Sequence, residues 1–171
     1  MSGLAERRAV VVSVSNRAAA GVYADTTGPR IVAALTDVGF GDVSASVVPD
    51  GEPVRSALSD AVSTGADMVV TTGGTGLSPT DQTPEMTRAV LDYEVPGIAE
   101  AIRAYGVANG VATAVLSRGL AGVAGTTLVV NLPGSTGGVK DGLAVLLPIV
   151  EHTLDQIVGG DHRRSGEAGV T

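Results

Sequence analysis

The stretch Thr71-Thr72-Gly73-Gly74-Thr75-Gly76 follows the apolar run Met68-Val69-Val70 directly, as a strand leads into a loop. A glycine-rich turn at the end of a buried strand lets backbone N–H groups come close to an anionic ligand. Asp81 lies five residues further on, in Ser78-Pro79-Thr80-Asp81-Gln82-Thr83-Pro84, and Asp50 stands in the turn Pro49-Asp50-Gly51. Two carboxylates facing a polyphosphate need a cation between them. Mg²⁺ suits that place, because it binds one or two carboxylates together with phosphate oxygens. Ser117-Arg118 and Ser135-Thr136 are candidate phosphate donors, and Gly134, Gly137 and Gly138 fit an anion site at the start of the last helix. Taken singly, each part has a plain structural reading. The glycines fit a tight turn, the aspartates a cap or a Pro-Asp-Gly turn, and the serines a local backbone hydrogen bond.

The elements that must position these residues alternate between strand and helix. Ala9–Ser15 is a continuous apolar run, as in a strand buried on both faces, and Val43–Val48, Asp67–Thr72 and Thr127–Leu132 are further strands. Thr26 or Thr27 is expected to cap a helix with Pro29 in its first turn and Gly39 past its end. Further helices are expected from Pro53 to Thr64, from Pro84 to Leu91 and from Pro96 to Gly106. A long final helix should run from Thr136 to Val158, kinked at Pro148. Val111–Arg118 fits strand or helix, and the glycine-rich stretch Gly119–Gly125 is expected to be a loop.

This alternation predicts a single-domain, doubly wound α/β fold: a mostly parallel sheet flanked by helices, in a Rossmann-like three-layer arrangement. The domain is expected over residues 8–160, with a flexible N-terminus at 1–7 and a disordered tail at 161–171. Ligands of such folds bind outside the carboxyl ends of the strands. The segments there are Ser15-Asn16-Arg17, Pro49-Asp50-Gly51, Gly73-Gly74-Thr75-Gly76 and Pro133-Gly134-Ser135, all small or polar. Their convergence on one rim weighs more than any single motif.

Composition narrows the possibilities. Of 171 residues, 44% are hydrophobic and 17% charged, below the roughly 25% charged of ordinary soluble domains. The net charge is −7 and Lys140 is the only lysine beside ten arginines, so no basic stripe suits nucleic acid. Cysteine is absent, which excludes disulfides and thiolate metal sites. Six apolar or small residues, Ala9 to Val14, are too few for a signal peptide or membrane span, and a cytoplasmic protein is the default expectation. There is no G-x-x-x-x-G-K-[ST], and Gly74-Thr75-Gly76-Leu77-Ser78-Pro79 fails G-x-G-x-x-G at its last position.

An ordered series of motifs covers residues 8–160: Val14-Ser15-Asn16-Arg17, Pro49-Asp50, Thr71–Gly76, Asp81-x-Thr83-Pro84-Glu85, Val95-Pro96-Gly97, Leu116-Ser117-Arg118 and Asn131-Leu132-Pro133-Gly134. In this the chain resembles the MogA/MoaB family of molybdenum-cofactor biosynthesis, most of all its MogA-type molybdopterin adenylyltransferases. The resemblance implies a molybdopterin-binding domain that moves the adenylyl group of ATP, with Mg²⁺, onto the terminal phosphate of molybdopterin and releases pyrophosphate. It implies Asp81 for catalysis and Mg·ATP positioning, Asp50 for holding the pterin–nucleotide and the metal, and Ser117 for pterin binding. Gly73, Gly74, Thr75 and Gly76 would wrap the phosphates, with Pro133, Gly134 and Ser135 closing the pocket and Ser15 on its rim. Lys140 and Arg17 would add positive charge. A homotrimer (or a hexamer) and a MoeA-like molybdenum-insertion partner are implied as well. Thr80-Asp81-Gln82 and Pro133-Gly134-Ser135-Thr136 lean toward MoaB-like members, which leaves a molybdopterin-binding protein without adenylylation as the alternative.

Overall fold

The structure, a computed structural model, describes residues 3–159. In chain order its strands are β1 Arg8–Val14, β2 Asp42–Val48, β3 Met68–Thr72, β4 Tyr93–Glu94, β5 Ala121–Ala124 and β6 Thr127–Leu132. Its helices are α1 Asn16–Ala19, α2 Gly28–Val38, α3 Glu52–Ser63, α4 Thr83–Arg88, α5 Pro96–Ala108, α6 Thr136–Leu146 and α7 Val150–Ile157. The strands form one sheet in the order β2-β1-β3-β6-β5-β4. The first four are mutually parallel, and β5 and β4 extend the sheet through antiparallel pairings.

Side chains of a strand alternate between faces, and two cores result. Val11, Met68, Val70, Leu128 and Val130 pack beneath α2, α5, α6 and α7, against Ile31, Leu35, Ile102, Leu143 and Leu154. Val12, Val14, Val69 and Val129 point the other way, onto Val54, Leu58 and Ala61 of α3. Fully burying one such aliphatic side chain stabilises by roughly 1.5–3 kcal/mol, and two filled faces hold the central strands rigid. The pairings Val14↔Val48, Ser13↔Thr72 and Thr72↔Leu132 bring the carboxyl ends of β1, β2, β3 and β6 level, so the four expected rim segments share one edge.

Several local expectations need correction. The stretch 119–125 is not simply a loop, because Ala121–Ala124 is a buried strand paired with β6. Ala-Gly-Val-Ala has little β-propensity of its own, and ladder pairing supplies what propensity lacks. The two-residue β4, paired with β5, went unforeseen. Val111–Arg118 resolves into a 3₁₀ helix, Ala112–Leu116. The final helix is interrupted rather than kinked: a 3₁₀ turn, Leu147–Ile149, separates α6 from α7, where Pro148 supplies no N–H and its ring crowds the preceding turn. Strand β2 is an edge strand, exposed along most of its length. At the N-terminus, Leu4–Glu6 forms a 3₁₀ turn and Arg7 is buried, paired with Asp155 at 2.5 Å. The expected tail, 161–171, lies outside the described residues. Among those described, no helix is long and apolar enough to cross a membrane.

Candidate functional site

The glycine loop leaves β3 with Gly73 at φ +96° and Gly74 at φ +64°, where L side chains are strained. A β-carbon on Gly73 would run into the Val14 carbonyl, and one on Gly74 would collide with Thr83 Oγ1 and Asp50 Oδ1. Packing and backbone conformation thus both demand glycine. The loop is braced through its carbonyls. Gly74 O accepts from Thr83 N at 3.1 Å and Thr75 O from Arg118 N at 2.8 Å. The Arg118 guanidinium donates to Gly76 O at 2.9 Å and Asp81 O at 2.8 Å, and pairs with Glu85. By contrast, the amides of Gly74, Thr75 and Gly76 donate to no protein acceptor among the described residues. Buried or half-buried N–H groups are almost always paired, so a run of free amides in a fixed loop suits a ligand with negatively charged oxygens.

Two cavities meet at this loop. The first, about 440 Å³, is lined by Gly74, Thr75, Gly76, Asp81, Ser117, Pro133, Gly134 and Ser135 at the rim and runs between α5, α6 and the 3₁₀ helix toward Ile102, Val111 and Leu116. The second, about 470 Å³, is more polar and is lined by Ser13, Ser15, Arg17, Asp25, Asp50, Gly73, Gly74, Asp81 and Gly134. Gly74, Asp81 and Gly134 line both. Asp50, Asp81, Gly73, Gly74, Thr75, Gly76, Ser117, Pro133, Gly134, Ser135 and Ser15 each line one cavity or the other, whereas Arg118, Thr136 and Lys140 line neither.

The two expected aspartates are close enough to interact. Burial, and then the charge of Asp81, push the Asp50 carboxyl above the ordinary aspartate range. Asp50 Oδ1 is buried without a hydrogen-bond partner, as is Thr83 Oγ1. Asp50 is placed by its own N–H, which donates to Asn16 Oδ1 at 2.9 Å. Asp81 Oδ2 accepts from Ser78 N at 3.0 Å. Among the described residues no group of three or more His, Cys, Asp or Glu gathers to hold a metal. Two carboxylates, one with an unpartnered oxygen, do fit a cation that takes its other oxygens from phosphate and water, which is how Mg²⁺ binds beside nucleotides.

Two expected contributors are placed elsewhere, Arg118 and Lys140. Arg118 is committed to the loop carbonyls and Glu85, so it braces the site instead of offering a free phosphate donor. Lys140 is exposed and lines neither cavity, whereas Arg17 lines the second. Ser15 and Ser135 each line a cavity and also cap a helix, accepting from Ala18 N at 3.2 Å and Gly138 N at 3.0 Å. Ser117 Oγ lies 3.3 Å from Thr75 Oγ1.

Sequence reasoning missed Asp25, Arg103 and Asp141. Thr27 holds the N-cap position of α2, as expected, but its side chain makes no cap bond; Asp25 supplies one instead, its carboxylate accepting from Ser13 Oγ at 2.6 Å and from the amides of Thr27 and Gly28 at 3.1 Å each. Burial opposes its ionisation, but the bonds from Ser13, Gly28 and Thr27 outweigh it and hold the carboxyl below the ordinary range. An aspartate three residues ahead of a helical Gly-Pro was the available signal. Arg103 and Asp141 sit on helices whose apolar stripe hides them, and their spacing carries no signal.

Comparison with known proteins identifies the family and the fold. Residues 10–152 match the family model described as a probable molybdopterin binding domain. A molybdenum cofactor biosynthesis bifunctional protein of Synechococcus elongatus is 40% identical over 156 residues, 90% of this chain and 48% of that one. The chain thus spans about half the length of this bifunctional relative and of a second such protein. A molybdopterin adenylyltransferase of Helicobacter pylori is 34% identical over 153 residues, 87% of this chain and 86% of that one. The solved structure of the molybdopterin biosynthesis Mog protein from Mycobacterium ulcerans is 56% identical with a TM-score of 0.85, covering 88% of this chain and 99% of that one. The chain belongs to the family of probable molybdopterin binding domains, the family of the MogA-type proteins of molybdenum-cofactor biosynthesis.

Proposed function

We propose that this protein is a molybdopterin adenylyltransferase: an oxygen of the terminal phosphate of molybdopterin attacks the α-phosphorus of ATP, the bond to the α–β bridging oxygen breaks, and pyrophosphate leaves. The observation that carries this reading is the loop of free amides set between Asp50 and Asp81 where two cavities meet. A transfer between two ligands needs two adjoining spaces with the reacting atoms at their junction.

Both reactants are anions, so catalysis rests mainly on positioning and charge neutralisation. A phosphate monoester is largely dianionic at neutral pH, since its second pKa is about 6. The nucleophile therefore needs no general base. In this reading the amides of Gly74, Thr75 and Gly76 hold phosphate oxygens, with Gly73 shaping the turn. Ser117 orients the molybdopterin, and Pro133, Gly134 and Ser135 close the first cavity while Ser15 borders the second. Asp81 and Asp50 would hold Mg²⁺, which when bound offsets the charge of the triphosphate. The reading extends to a cytoplasmic homotrimer that hands its product to a MoeA-like insertion protein. Incubating the protein with molybdopterin, ATP and Mg²⁺ should yield adenylylated molybdopterin and pyrophosphate, and Asp81→Asn should lower the rate roughly a hundredfold or more, the scale of losing one strong electrostatic contact. Molybdopterin binding without product would leave a MoaB-like binding protein instead.

A further inference from the structure

The end of the first cavity away from the glycine loop holds a half-buried carboxylate that the proposed reaction does not use. Asp141 lines it in company with Ile102, Gly106, Val111 and Ala114. It stands in the second turn of α6, about 9 Å along the axis from the rim residue Ser135. No Arg or Lys pairs with it among the described residues. Arg103, which shares the cavity, is committed to Gly119 O at 2.8 Å. Asn109 Nδ2 donates to Asp141 Oδ1 at 3.0 Å, an exposed bond that holds one oxygen of the carboxylate. The other oxygen, Oδ2, borders the space beside Gly106, 3.8 Å from where a β-carbon there would lie.

We infer that Asp141 reads the 2-amino-4-oxo edge of the pterin ring. The inference rests on molybdopterin occupying the first cavity with its phosphate at the glycine loop. An ionised carboxylate is an acceptor only, with two oxygens set for a pair of adjacent donors. The pterin edge offers such a pair, the 2-amino group and N3–H. Adenine offers one donor next to a ring nitrogen whose lone pair would face the carboxylate. The cavity is matched in polarity from end to end: free amides for the phosphate at the rim, aliphatic walls for the ring, and a held carboxylate for the donors at the far end. Asp141 is thereby the specificity-determining residue that separates a pterin from an adenine base.

The test is equilibrium binding of molybdopterin without ATP, with the KM of each substrate measured alongside. Asp141→Asn should weaken molybdopterin binding about 10- to 100-fold, the range for a hydrogen bond to a charged group, while the KM for ATP stays within about threefold. Asn109→Ala, an exposed change that keeps the charge but frees its orientation, should weaken it less and in the same sense. Wild-type affinity in Asp141→Asn, or a loss confined to ATP, would overturn the inference, and a loss shared equally by both substrates would reduce Asp141 to a structural role. Because binding is measured without turnover, a wild type that binds but does not adenylylate defeats the reaction while leaving Asp141 tested.

Discussion

Asp25 and Asp50 are the same residue type, are both half-buried, and line the same cavity, yet their surroundings push them in opposite directions. Asp25 is fully engaged: Ser13, Thr27 and Gly28 donate to it, and its charge is favoured in spite of burial. Asp50 is placed by its backbone, keeps Oδ1 without a partner, and faces the like charge of Asp81. Burying a polar group is tolerated when it is paired and costly when it is not. One side of the cavity is therefore finished by folding, and in the proposed function a ligand would finish the other. Four buried side-chain atoms lack a partner among the described residues, Arg7 Nε and Nη1, Asp50 Oδ1 and Thr83 Oγ1, and the last two lie together against Gly74. Asn131 donates to Thr71 Oγ1 and Thr87 Oγ1 and accepts from Leu120 N, tying β3, β6 and α4 together beneath the loop. Asn131 shows a buried polar group fully paired, whereas Asp50 Oδ1 is buried without a partner beside the like charge of Asp81.

The contrast can be broken most forcefully at Gly74. Gly74→Ala puts a methyl group against Thr83 Oγ1 and Asp50 Oδ1 at a left-handed φ. Adenylyl transfer should fall roughly a hundredfold or more, the scale of displacing one preorganised donor, and thermal denaturation should show lower stability as well. Asp25→Asn should act on the finished side alone. Stability at neutral pH should drop by about 1–2 kcal/mol, the scale of weakening a helix cap, with turnover per folded molecule within about threefold. Since the folded carboxyl titrates below its unfolded value, near 3.8, its contribution is complete above that pH and vanishes as the pH falls through the lower, folded value. Urea melts of wild type and variant should therefore converge only in acid. The smallest effect concerns coupling. Asp81→Asn removes the second cause of the Asp50 shift but not burial, so the Asp50 carboxyl, followed by NMR titration, should move down toward the ordinary range without reaching it.

Much of this was legible in the sequence, for reasons that name particular residues. Apolar runs such as Ala9–Val14 and Thr127–Leu132 disclose central parallel strands because both their faces are buried. The rim residues were legible because strand ends and glycine turns are local features, and a parallel sheet places its strand ends together. What stayed hidden depends on partners distant in sequence. The strand Ala121–Ala124 exists through pairing with β6. Arg118 reads as a phosphate donor until its reach to Gly76 O and Asp81 O is seen. Asp141 is one polar residue in an amphipathic helix until α5 and the 3₁₀ helix enclose it.

The most direct measurement is Asp50→Asn, followed for thermal stability and adenylyl transfer in the same preparation. Because the folded carboxyl titrates above its unfolded value, the charge of Asp50 opposes folding at neutral pH, and neutralising it relieves that cost. The expected result is a Tm equal to or above wild type with transfer reduced roughly a hundredfold or more. A fall in Tm like that of Asp25→Asn with transfer intact would contradict the central claim and make Asp50 a second structural brace.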